Sequence, residues 1–192
     1  MRAWMLSLLV LSFFSGCLPA SLNDGQPDAA VVYAAGHARP AGAADALDQT
    51  LRSSDLDFDF VRSQTLRFLE VRRGSRASLW AQSAASVGRA ASADVVIVIR
   101  PVVLERTPRD RRQPPTSYWV ELQLEVAVVD AEAGQVRSSV LGPHLTGVLY
   151  VDDPAAGLPD VRDDAVVAEL AERSIDALAP YVIEDLKAWR RW

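Results

Sequence analysis

One cysteine, Cys17, stands in 192 residues. It cannot close an internal disulfide or supply the several thiolates of a usual structural zinc site. The folded part must therefore hold together by packing. Lysine is just as scarce, with Lys187 alone, so nearly all positive charge is arginine. That reads as a coding bias first and as a use of arginine's bidentate geometry second. The two histidines, His37 and His144, each stand alone and read as polar residues rather than general bases. No G-x-S-x-G, P-loop or H-E-x-x-H occurs, and there is no internal repeat or long low-complexity tract. These absences predict a protein that is not an enzyme and needs no cofactor or metal. The net charge of −5 (20 basic against 25 acidic residues) gives no general electrostatic attraction to nucleic acid.

What is present is the composition of a chain with a core: 49% hydrophobic and 23% charged. The length suits one domain of about 150 residues plus extra segments. The start, MRAWMLSLLVLSFFSGC, has Arg2 and then an apolar run over residues 3–14. A run of about a dozen residues is the core of a signal peptide, and a membrane span needs roughly 20. After Cys17 the chain turns polar.

Phe14-Ser15-Gly16-Cys17 resembles the lipobox of bacterial lipoproteins, with Phe14 where leucine is usual. The resemblance implies removal of residues 1–16 and attachment of diacylglycerol to the Cys17 thiol, with palmitate-type chains. The alternative is an ordinary signal peptide cleaved near Ala20. Burial of about 0.8 kcal/mol per CH₂ makes one acyl chain a marginal anchor and two or three a stable one. Leu18 after the cysteine resembles the signal for the periplasmic side of the outer membrane in the cell envelope, with the inner membrane and cell surface as alternatives. Residues 17–29 read as the lipidated cysteine and a flexible tether spanning on the order of 20 Å. Residues 30–192 read as a single periplasmic domain.

Along that domain, residues 30–34 (AVVYA) predict a strand. Ala43, Leu47 and Leu51 predict an amphipathic helix. In DLDFDFV, Leu56, Phe58 and Phe60 alternate with Asp55, Asp57 and Asp59, the period of a half-buried strand. The three aspartates do not fit a calcium loop, because Phe60 and Leu66 occupy its sixth and twelfth places. SQTLRFLEV reads either way. Trp80, Ala84, Val87 and Ala91 predict a second helix, and VVIVI at 95–99 predicts a central strand buried on both faces. Pro101 should interrupt the ladder or lie at an edge.

Residues 106–117, RTPRDRRQPPTS, read as an open loop carrying Arg106, Arg109, Arg111 and Arg112. Four arginines in one loop make it a candidate partner contact, and Trp192 at the end of the sequence is another. Val120, Leu122, Leu124, Val126 and Val128 alternate with Glu121, Gln123 and Glu125, which predicts a strand with one wet face. A turn over 130–134 returns it to 135–141. The last helix is expected to begin with Asp160 as cap and Asp163 and Asp164 in its first turn. It buries Val167, Leu170, Ser174, Leu178, Val182, Leu186 and Trp189, with a kink or break at Pro180.

The expected fold is α/β (α+β): a mixed sheet of about five strands with helices against it, and a C-terminal antiparallel hairpin before a long helix. At SADVVIVI, VELQLEVAVVDAEAGQV and the last helix, residues 30–189 resemble a periplasmic lipoprotein domain. It is shared by the curli-secretion-channel lipoprotein and the lipoprotein activator of penicillin-binding proteins, and is similar in fold to the N-terminal domain of the Tol-system propeller protein. Auxiliary lipoproteins of lipid-handling ABC transporters are a second resemblance. Together these imply a non-catalytic, membrane-anchored envelope lipoprotein that binds or positions another envelope component in assembly, cell-wall synthesis or secretion. The alternatives are a subunit of an oligomeric outer-membrane export channel and a transporter auxiliary. The partners expected are the membrane, through the anchor, and an envelope protein; the oligomeric state stays open. Cys17→Ala should move the protein from the membrane to the soluble fraction and remove the lipid mass in mass spectrometry. Unchanged retention and mass would contradict lipidation.

Overall fold

Five β-branched residues in succession leave no polar face, and Val95–Ile99 are all at most 1% exposed. They begin the central strand of the computed structural model, which describes residues 26–33, 40, 42–61, 77–161 and 163–189. The elements are β1 (Asp28–Tyr33), α1 (Ala43–Ser53), β2 (Asp59–Phe60), α2 (Ala77–Ala91), β3 (Val95–Pro108), β4 (Ser117–Asp130), β5 (Gln135–Leu141), β6 (Leu145–Tyr150), a 3₁₀ turn at Pro154–Ala156, and α3 (Ala165–Trp189). The sheet has six strands in the order β2-β1-β3-β4-β5, with β6 on the other half of β4. β1 runs parallel to β2 and β3, while β3, β4, β5 and β6 pair antiparallel. This is the expected mixed α/β sheet with one strand more than the sequence suggested. The addition is β6, whose LTGVLY carries a glycine and alternates poorly.

Alternation divides the core into two layers. Val95, Ile97 and Ile99 join Val120, Leu122, Leu124, Val126 and Val128 beneath α1 and α3. Val96, Val98, Val129 and Ala131 face the other way, against Ala84 and Val87 of α2. The α1 face, Ala43, Leu47 and Leu51, is buried as its four-residue spacing required. The α3 face is buried from Val167 to Leu186, with Trp189 half-buried. No helix among the described residues is long and apolar enough to cross a membrane.

Four boundaries differ from the sequence reading. The DLDFDFV segment keeps its alternation, with Phe58 buried, but only Asp59 and Phe60 join the ladder. Arg106 belongs to β3: the β3–β4 ladder runs on past Pro101, through a bulge before Val103, to Pro108 opposite Tyr118. Beyond Ile99 the β1 side of β3 carries no strand among the described residues, so prolines there need forfeit no ladder bond. Asp164, not Asp160, caps α3, its Oδ1 accepting from the backbone of Val166 (2.9 Å) and Val167 (3.3 Å). The helix also continues through Pro180, which lies on its exposed side. SQTLRFLEV, His37, Cys17 with residues 18–25 of its tether, and Trp192 lie outside the described residues; Asp28 and Ala29, the end of the expected tether, open β1.

One glycine fixes how closely α2 approaches the sheet. A Cβ on Gly88 would stand 2.5 Å from Ala131 Cβ and 2.7 Å from Val96 Cγ2, inside contact distance. At an open helical site Gly→Ala gains about 0.8–1.0 kcal/mol of propensity. Here overpacking of about 1–3 kcal/mol opposes and exceeds it. Gly88→Ala should lower stability in urea denaturation; a rise would show that the approach is not tight.

Candidate functional site

The longest ladder sets the geometry. β1 pairs with β3 through Ala29–Val95 to Tyr33–Ile99, so residues 26–28 join the domain level with the start of β3. At about 3.3 Å per residue, the far end of β3 lies about 40 Å away. The two ends carry different side chains.

At the far end, residues 109–116 fold around one carboxylate. Asp110 Oδ2 accepts from the Thr116 backbone (3.1 Å) and hydroxyl (2.7 Å) and from the Ser117 backbone and hydroxyl (both 3.1 Å). Its Oδ1 accepts from the Arg112 backbone at 3.1 Å, and the Gln113–Pro114 bond is cis. The Thr116 hydroxyl is the largest influence on Asp110, and the backbone of Arg112 and Thr116 and the hydroxyl of Ser117 add to it. Against a weaker effect of burial they bring its pKa from 3.8 to about 2.

The four arginines are not equivalent. Arg106 points to the core side, its side chain 11% exposed, and Nη2 lies 2.7 Å from Oδ2 of the fully buried Asp164. That contact is an ion pair without hydrogen-bond alignment, since neither atom has a hydrogen-bond partner; Nη1 donates to Pro159 O at 2.7 Å. Arg106 is thus committed to the fold and leaves the set of exposed cations. Arg109 lies on the other face of the sheet. Its Nη1 donates to Tyr150 Oη at 3.1 Å, and its guanidinium sits 4.9 Å from the Trp119 ring centroid. Arg111 and Arg112 are exposed and have no ion pair among the described residues. Arg106 and Arg109 are therefore brought into different surroundings by one loop-flanking strand.

Sequence reasoning missed Trp119 and Tyr150, which are 40% and 68% exposed. The signal for Trp119 was there: the alternation that turns Val120 inward turns Trp119 outward. Tyr150 had no such signal, because β6 itself was not recognised.

At the near end, a half-open groove of about 680 Å³ lies between the β4–β5 turn and the last turns of α3. Asp94, Asp130, Glu132, Asp185 and Trp189 line it, with Arg137 between Asp130 (2.6 Å) and the Trp189 ring (5.7 Å). Burial would raise the pKa of Asp130, but hydrogen bonds from the Ala133 backbone and Arg137, with the charge of Arg137, lower it below the ordinary value. His144 pairs with Glu121 at 3.0 Å. Among the described residues no three of His, Cys, Asp and Glu gather as metal ligands would, and Asp55, Asp57 and Asp59 are exposed.

A carboxylate held low in the folded state favours folding above its unfolded value, near 3.8, and loses that contribution as pH falls toward 2. The Thr116 and Ser117 amide signals in ¹H–¹⁵N spectra should therefore titrate with a midpoint near 2. A midpoint at the ordinary aspartate value would mean that Asp110 does not organise the tip.

No family model matches this chain, and no curated protein matches it. Solved structures similar to it include the hypothetical protein CT253 from Chlamydia trachomatis (14% identity, TM-score 0.41, 85% of this chain and 99% of that one). Lipoprotein GNA1162 from Neisseria meningitidis is similar at 9% identity and TM-score 0.41, over 82% of this chain and 99% of that one. The PelC dodecamer from Paraburkholderia phytofirmans is similar at 16% identity and TM-score 0.38, over 81% and 87%. Several of the similar structures are lipoproteins. Likeness at this level fixes neither a family nor a function for this chain.

Proposed function

We propose that this chain is a lipid-anchored lipoprotein of the cell envelope, on the periplasmic side of the outer membrane, that positions another envelope component without catalysing a reaction. The observation that carries the reading is the opposition of its two ends. The anchor segment joins level with Val95, and a basic tip built around Asp110 presents Arg109, Arg111 and Arg112 about 40 Å away. A surface meant to meet something other than the bilayer is placed in this way.

The carboxylates support a non-catalytic role. Asp110 and Asp130 are both shifted downward by hydrogen bonds that hold turns, so they stay ionised as structural acceptors. A general acid needs the opposite shift. The resemblance to the curli-secretion and penicillin-binding-protein-activator lipoproteins belongs to the same reading. A channel subunit that lends strands to a barrel fits less well. β4 is paired on both edges, by β3 and by β5 and β6, and its inner face lies under α3.

The test is site-specific photo-crosslinking in intact cells from Gln113 at the tip and Glu132 at the anchor end. The tip should give a reproducible envelope adduct. Arg111→Glu with Arg112→Glu should cut its yield at least tenfold while membrane retention and melting temperature hold. Adducts from Glu132 with none from Gln113 would overturn the reading.

A further inference from the structure

We infer that the contact surface is a three-residue platform, Arg109, Trp119 and Tyr150, and that its partner is a protein presenting an acidic segment. The inference rests on the positioning role proposed above and names its partner class.

The platform is made by strand register, not by the loop. Ser117 of β4 stands opposite Tyr150 of β6, and the Arg109 backbone N–H donates to Ser117 O at 2.9 Å. Arg109, Ser117 and Tyr150 thus form a row across the sheet. Trp119 stands two residues along β4 on the same face, beside Thr107 and Val148. Ser117 is the small member of the row, and its hydroxyl is turned to Asp110. Arg109 crosses over it to reach Tyr150 Oη and stacks on Trp119. Three exposed side chains are thereby held in one arrangement before any partner arrives, which lowers the ordering cost of binding.

The surface is open. α2 covers the same sheet face only at the other end, over Val96, Val98 and Val129. No described element packs over Trp119 or Tyr150, and both remain well exposed although each contacts Arg109.

The chemistry selects the partner. Among the described residues Arg109 uses one of its five N–H donors, Nη1, in a hydrogen bond. The donors left suit a carboxylate, which guanidinium binds in a two-pronged fashion. Arg111 and Arg112 are two further exposed positive charges in the same loop, while the exposed Asp152 and Asp153 follow Tyr150 on its other side. One row beyond Trp119 the sign reverses, with Glu105 opposite Glu121. The partner segment is therefore oriented, with its carboxylates toward the tip and neutral or basic residues toward Glu105 and Glu121. Tryptophan, tyrosine and arginine are the residues that dominate protein–protein hot spots. The bilayer is the poorer match, because the anchor joins at the opposite end of the sheet.

The test uses the full lipidated chain in detergent micelles. Probes are a fluorescein-labelled peptide of alternating glutamate and leucine, its lysine–leucine counterpart, polygalacturonate, and phosphatidylglycerol vesicles. The acidic peptide should bind saturably and the basic one should not. Arg109→Ala and Trp119→Ala should each weaken binding at least about tenfold, and Trp119→Phe should weaken it less. Tyr150→Ser, at a largely exposed position, gives a second reading should Trp119→Ala fail to fold. Binding unchanged in these variants, or tighter binding of the polysaccharide or vesicles, would overturn the inference. If the tip adduct in cells persists undiminished in the Trp119→Ala chain, the positioning role stands and the platform fails. If the unsubstituted chain gives no adduct from the tip, the positioning role fails as well.

Discussion

The buried pair of Arg106 and Asp164 ties the distal end of β3 to the N-terminus of α3. β3 leaves its parallel neighbour β1 after Ile99, and from there one of its edges has no strand among the described residues. Pairing of β6 with β4 and the packing of Val120, Leu122 and Leu149 under α3 hold the other side of the extension. On the β3 side, Arg106 reaches down to a carboxylate that also caps α3. One aspartate thus serves two ends at once, closing the helix N-terminus and locating the distal strand. With the Asp164 side chain fully buried, removing either partner strands a charge, at a cost of about 3–5 kcal/mol. The pair does not have to stabilise the fold beyond an apolar alternative; it specifies where the strand lies.

The surroundings of Arg109 follow from that placement. The same strand that turns Arg106 into the core carries Arg109 past its end to the opposite face, where it meets Trp119 and Tyr150. The tip is closed by Asp110, so its shape depends on hydrogen bonds to an ionised carboxylate. The end at which β1 begins is chemically distinct, with its acidic groove and the half-buried Trp189. The two ends carry different side chains and are separated by the length of β3.

Much of the fold was legible because the signals were local and strong. Val95–Ile99 could be buried only on both faces, and Val120 to Val128 kept strict alternation. What was illegible depended on distant partners. Arg106 reads as loop because three more arginines and three prolines follow it in sequence, and only Asp164, 58 residues later, explains its burial. Asp160 reads as the cap, with Asp163 and Asp164 in the first turn, because nothing local shows that Asp164 is the one held by Arg106. β6 was lost because Gly147 occupies an inward position where a side chain was expected. A Cβ there would stand 2.7 Å from Val166 Cγ1. The candidate site was half legible: the arginines were visible, but Tyr150 required a strand that the pattern did not announce.

Native-state hydrogen exchange on the unsubstituted chain and on Asp164→Asn tests the central claim most directly. In the unsubstituted chain, the amides of Leu104–Thr107 and Trp119–Leu122 should open only with the whole domain. In the variant they should exchange through local opening while Val95–Ile99 stay protected. Rapid exchange of the distal amides in the unsubstituted chain, or no change in the variant, would contradict the claim that this buried pair holds the distal strands in place.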